Sequence, residues 1–248
     1  RTTTTQSQFK QRSLPQPEQA RLQAIVDKAY ADLGSELTAL GIEMVPYETI
    51  TAMPEFENFK GAIHDSPWVA ETKDSNSIFM APTGMQLYMD NLARANFLQG
   101  ISGMVSNTPY QEMKVIFALK DTALLSVNMV VDFATVGAEK GFLSSLSSEV
   151  NADMVHHLQA ANSSFRFMGF GQPRSVVVEL EKHLVSDQPF WEEVAGAEPV
   201  KKKGLGGLLS KTEEKEYLYN MELYYDRSEA MMLALQRMFV AELAKLRK

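Results

Sequence analysis

The sequence predicts an α/β (α+β) fold: a mixed, largely antiparallel sheet with an N-terminal and a C-terminal helix packed on it, plus shorter helices. Three observations predict it. Leu22, Ile25, Val26, Ala29, Leu33, Leu37 and Leu40 recur at intervals of three and four, the period of one helix face. Met232, Leu235, Phe239, Leu243 and Leu246 repeat that spacing at the far end of the chain. Between them, Leu125, Val127, Met129, Val131 and Phe133 alternate with Ser126, Asn128, Val130 and Asp132, the period-two pattern of a strand.

Each element follows from local chemistry. The first helix starts near Glu18, behind Pro15 and Pro17, and ends at Gly41, where a left-handed residue costs little. Gly34 inside it reads as a packing point against a neighbour. Residues 42–47 read as a strand ended by Pro46, and Pro54 starts a short helix carrying Phe56 and Phe59. His64 to Pro67 and residues 72–76 read as loops, 77–81 as a strand and 85–98 as a helix closed by Gly100 and Gly103. Thr108, Pro109 and Gln111 form a capping-box start for a helix to about Lys120. Residues 142–150, 153–159, 164–170 and 174–185 read as an antiparallel meander, and 216–225 as a strand with Tyr217, Tyr219, Met221, Leu223 and Tyr225 on one face. Asp226, with Glu229 three residues on, caps the last helix. No linker forces a second domain. The expected organisation is a disordered tail at 1–16 and a single domain at 17–248 with a flexible basic loop at 200–215.

Composition excludes more than it assigns. With 45% hydrophobic and 22% charged residues the 248-residue chain matches an ordinary globular protein. A net charge of −7 argues against general nucleic-acid binding, which needs Lys and Arg to neutralise phosphates. The absence of cysteine removes disulfides, thiolate zinc sites, iron–sulfur clusters and cysteine nucleophiles. It also fits an oxidising compartment. The chain begins with Arg1, as expected of a processed N-terminus behind a signal peptide or a lipid-bearing cysteine.

Chemically suggestive residues have plainer readings. His156 and His157 are adjacent on a predicted strand, so their side chains take opposite faces and cannot chelate one metal. His64 and Asp65 have the chemistry of an acid–base pair, but no Gly-x-Ser-x-Gly elbow accompanies them, and a solvated loop is the expectation. The run from Lys201 to Lys211 fails the phosphate-loop pattern because no glycine directly precedes Lys211. Gly169 and Gly171 make no dinucleotide fingerprint. In the basic loop, Lys201, Lys202, Lys203, Leu205, Leu208 and Leu209 are candidates for contact with a partner or an anionic membrane surface. The tyrosines of 217–225 read as sheet-face residues, and the 14 methionines as core fillers. No cofactor or metal is expected.

Several short stretches carry a family resemblance. They are Ala29-Tyr30, the run from Leu40 to Glu48 (Leu-Gly-Ile-Glu-Met-Val-Pro-Tyr-Glu), Ala81-Pro82-Thr83-Gly84-Met85, Val131-Asp132-Phe133-Ala134, Gly171-Gln172-Pro173 and Ser186-Asp187-Gln188-Pro189-Phe190. In these the chain resembles uncharacterised proteobacterial secreted or lipoprotein-like proteins. That family is similar in plan to the periplasmic domain of curli secretion-channel lipoproteins and to the N-terminal domain of the TolB translocation protein. The resemblance implies a periplasmic or outer-membrane-associated protein that binds envelope proteins or itself, without chemistry of its own. The alternatives are a small-ligand or nucleotide-binding periplasmic domain and an unrecognised hydrolase. The chain departs from the channel proteins in lacking membrane-inserting hairpins.

Overall fold

The computed structural model describes residues 17–59, 63–71, 76–88, 108–120, 122–133, 135–139, 151–160, 162–169, 176–193 and 217–246. The predicted tail at 1–16, the strand at 142–150 and the basic loop at 200–215 lie outside them. The fold class is α+β. Four α-helices are described: α1 (Gln19–Ala39), α2 (Tyr47–Thr51), α3 (Thr108–Leu119) and α4 (Met221–Leu246), with a 3-10 helix at Pro54–Phe59. The strands are β1 (Ile63–His64), β2 (Trp68–Glu71), β3 (Asn76–Phe79), β4 (Leu87–Tyr88), β5 (Ala123–Asn128), β6 (Thr135–Glu139), β7 (Asn151–Val155), β8 (His157–Leu158), β9 (Ser164–Gly169), β10 (Val176–Glu179), β11 (Leu184–Val185), β12 (Trp191–Glu193) and β13 (Tyr217–Tyr219).

Among the described residues every strand pairing is antiparallel, and the strands fall into one three-stranded sheet, β10-β9-β5, and five two-stranded ladders. Alternation along β9 explains how the central sheet is covered on both sides. Phe165 points to one face, where it stacks on Phe239 of α4 with ring centroids 4.2 Å apart, and Leu125 and Val178 join it. Arg166 points to the other face and meets Glu112 of α3. The expected placement of both terminal helices on one sheet is therefore found on the Phe165 side, where Leu33 and Leu37 of α1 share a core with Met231, Leu235, Phe239 and Leu243 of α4.

These two helices run parallel and in register. Arg21 pairs with Glu222, Lys28 with Glu229 and Glu36 with Arg237, each pair separated by 201 residues in the chain. Inside the seam, the Gln236 side-chain amide donates to the Ala29 carbonyl at 2.7 Å. A second cluster, Ala70, Phe79, Ala81 and Leu87, lies under β2, β3 and β4. A third joins Ile25 of α1 to Phe190, Tyr224 and Tyr225.

Local chemistry fixes the ends of α1. It stops in a Schellman turn: Gly41 has φ +71°, its N–H donates to the Thr38 carbonyl, and the Ile42 N–H reaches back to Leu37 at 3.0 Å. Gly34 does not break the helix, and a Cβ there would lie 3.1 Å from Met44 Sδ.

Several expected elements are corrected. Residues 42–46 form no strand, because Ile42 completes the Schellman turn and Tyr47 already begins α2. The predicted helix at 85–98 starts instead as β4, paired with β1, and residues 89–98 lie outside the described set. The strand expected over 125–133 ends at Asn128. There the Asn128 amide turns to the Asn162 carbonyl and the Val130 N–H to Ser163 Oγ, leaving Val131 as an isolated bridge to Leu158. The segment 174–185 divides into β10 and β11, and the one expected over 153–159 into β7 and β8. Of the segment expected over 216–225, the described residues 217–225 are strand only at Tyr217–Tyr219. Asn220 then caps α4 through a 3.1 Å bond from the Leu223 N–H to its Oδ1, so Asp226 lies inside the helix.

Candidate functional site

Two buried polar centres hold the groups with chemical potential. The first sits between α3 and the central sheet. Glu112 shares the inner face of α3 with Val115 and Ile116, and Arg166 occupies the α3-facing side of β9. Their forked ion pair is bidentate, Ser126 Oγ accepts from the guanidinium at 3.3 Å, and the Tyr88 hydroxyl donates to Glu112 Oε1 at 2.6 Å. Both charged side chains are buried, Glu112 completely. The pair satisfies itself, and what it does is hold α3, β4, β5 and β9 in one arrangement.

The second centre lies where β8 meets β11, α4 and the connection after β5. His156 Nε2 is 3.1 Å from Ser228 Oγ of α4, and the imidazole is enclosed by Phe190 and Tyr224. Burial, with help from neighbouring His157, pushes the His156 pKa down to about 4 against the opposing pull of Asp132, so the ring is neutral through the physiological range. Burial pushes Tyr224 up to about 12, although its hydrogen bond with Ser228 works the other way. His157 turns elsewhere. Its Nε2 is 3.3 Å from Asp132 Oδ2, its ring stands edge-to-face with His183 at 4.4 Å, and Asp132 also accepts from the Gln159 amide.

This centre holds the residue types of a Ser-His-Asp hydrolase but divides them. Serine is bonded to one imidazole and aspartate to the next, and a triad requires one imidazole between both. The far nitrogen of His156, Nδ1, is buried without a hydrogen-bond partner, so no carboxylate orients it. His156 and Ser228 are also closed to solvent, at 1% and 3% exposure.

Those of the residues singled out in the sequence that are described are not brought together into one site. His156 and His157 meet different partners, as adjacent positions on an extended segment predict. His64 stacks on Trp68, with centroids 5.6 Å apart, while Asp65 is exposed. Lys201, Lys202, Lys203, Leu205, Leu208 and Leu209 lie outside the described residues, as do Gly171 and Lys211. Among the described residues no group of three or more His, Asp or Glu side chains has the geometry to hold a metal ion, and no helix is long and apolar enough to cross a membrane.

The Glu112–Arg166 and Asp132–His157 pairs were not foreseen. Their partners are 54 and 25 residues apart, and the signal available was a charge inside an apolar pattern: Glu112 one turn before Val115 and Ile116, Arg166 between Phe165 and Phe167. No protein-family model, curated protein or solved structure matches the chain. The resemblance to envelope proteins rests on its quoted residues alone.

Proposed function

We propose that the protein is a non-enzymatic component of the cell envelope, periplasmic or outer-membrane-associated, that binds or assembles with other envelope proteins. One observation carries the reading: among the described residues the serine, histidine and aspartate that lie together are engaged separately, Ser228 with His156 and Asp132 with His157, and His156 and Ser228 are closed to solvent. Apolar side chains, in contrast, are presented to solvent, among them Leu218 at 64% and Val185 at 54% exposure. Leu218 adds weight to the contact reading of the basic loop. It belongs to β13, whose pairing with β12 sets residues 193 and 217 side by side at the two feet of residues 194–216. The envelope setting rests on the resemblance and on the lack of cysteine.

The test is recovery from envelope fractions with cross-linking, together with the mass of the purified protein against concentration. A defined cross-linked envelope protein, or a mass that rises with concentration, supports the proposal. A turnover abolished by alanine at His64 or Asp65, or a rise in Tm with a small compound following RT ln(1 + [L]/Kd) and no partner, overturns it in favour of a hydrolase or a ligand-binding domain. Reversing Lys201, Lys202 and Lys203 to glutamate is expected to weaken that partner contact or binding to anionic vesicles at low salt.

A further inference from the structure

The ladder of β12 and β13 has two outer edges, and only one of them carries protection. An open strand edge offers its N–H and C=O groups to any other strand, and proteins blunt it with charge, proline or a bulge. β12 carries Glu192 and Glu193. β13 reads Tyr217-Leu218-Tyr219, and among the described residues no strand pairs with its far side.

The phase of the ladder decides which groups face outwards. The Asn220 N–H donates to the Phe190 carbonyl at 2.7 Å, which makes 190 and 220 a hydrogen-bonded pair. Antiparallel ladders alternate, so 192 and 218 bond to each other and the backbone groups of Tyr217 and Tyr219 point to the open edge. Side chains alternate as well. The Tyr219 ring packs inwards beside Phe133 and Phe190, while Leu218 stands on the outer face at 64% exposure, more than any other large apolar side chain among the described residues.

Such an edge is complementary to itself. Turned about a two-fold axis through Leu218, a second copy sets Tyr217 against Tyr219 on each side of the axis, with outward N–H and C=O groups facing one another. Leu218 then meets its own counterpart as the pair without hydrogen bonds, where Cα atoms stand about 4.5 Å apart and side chains are closest. A foreign strand would have to bring an apolar residue in matching register; a second copy brings it by symmetry. Like charge does not prevent the approach, because the two Glu192 side chains come to lie at opposite margins of the new sheet, roughly 14 Å apart, beyond the screening length of about 8 Å at physiological salt. Area limits the strength. A three-residue strand from each copy covers well under the roughly 800 Å² per partner of a stable complex, so the pair is weak and answers to concentration. We propose that β13 is a self-pairing edge, at which two copies of the chain join antiparallel about Leu218 into one sheet of β12, β13 and their counterparts. This pairing needs no other envelope protein, and so goes beyond the assembly reading above.

The chain has no cysteine, so a single introduced thiol reports a single contact. Leu218→Cys in the full chain places two thiols across the axis, at a Cα separation within the disulfide range. Under mild oxidation with diamide this variant is expected to form a disulfide-linked dimer roughly ten-fold or more faster than Val185→Cys or Met238→Cys, which lie elsewhere and are comparably exposed at 54% and 52%. Adding Tyr217→Pro to Leu218→Cys removes an outward N–H and no bond within the ladder, and should bring the rate down to that of the controls with the circular-dichroism spectrum unchanged. Equal rates for the three single variants overturn the proposal, as does a Leu218→Cys dimer indifferent to Tyr217→Pro. A cross-linked envelope protein, or a mass that rises with concentration, without faster linking of Leu218→Cys keeps the assembly reading and overturns this one.

Discussion

Taking a carboxylate and a guanidinium out of water is costly, and Glu112 and Arg166 repay it only as a pair. Glu112→Gln should therefore cost about 3–5 kcal/mol in urea unfolding by leaving Arg166 uncompensated, whereas the double change Glu112→Leu with Arg166→Met should recover most of that loss. His156 makes stability depend on pH. Its folded pKa, about 4, lies below the ordinary histidine value of 6.5, so below pH 6.5 the unfolded chain takes up a proton that the native state refuses. Stability is full above pH 6.5 and falls by up to about 3 kcal/mol as pH drops to 4, at roughly 1.4 kcal/mol per unit. Denaturant midpoints across that range should show the loss, and His156→Phe should flatten the slope. None of these pairings was legible in the chain. Periodicity reports which face a residue occupies, but the partner on that face comes from another element.

At the scale of elements, the sequence was most legible where a start or stop signal coincided with a long periodic run. α1 and its Gly41 stop, and α3 from Thr108, were read within a residue or two. It misled where two periods overlapped. The tyrosines from 217 to 225 alternate like a strand, yet Tyr224, Ser228, Met231 and Leu235 carry the helical spacing, and Asn220 decides between them by capping α4. Asn220→Ala should then cost about 1 kcal/mol, while Asp226→Ala should stay within about 0.5 kcal/mol. Gly41→Ala places a Cβ on a residue at φ +71° and should cost about 1 kcal/mol, although nothing lies near enough to clash. Thermal unfolding of the three variants side by side checks these values. Short strands were the hardest to place. A ladder of two residues, such as β1 with β4 or β8 with β11, is held by its neighbours and carries too little pattern to be read alone.

For the whole molecule, the helix layer of α1 and α4, the central sheet and α3 form three layers, and the first layer unites the two ends of the described chain. The class was predictable from the paired amphipathic ends. The division into several small ladders was not, because alternation says nothing about which strand lies beside which. The constant separation of 201 residues along the Arg21–Glu222 and Lys28–Glu229 pairs also bears on how the molecule is made. Closing a chain loop of that length costs roughly 5 kcal/mol of entropy, and no part of the α1–α4 seam repays it until α4 has left the ribosome. During synthesis Ile25, Leu33 and Leu37 are made well before the α4 residues that cover them, so the inner face of α1 waits for its partner helix. A fragment of residues 17–219 should lack cooperative unfolding by circular dichroism, and a peptide of residues 220–248 added in trans should restore it.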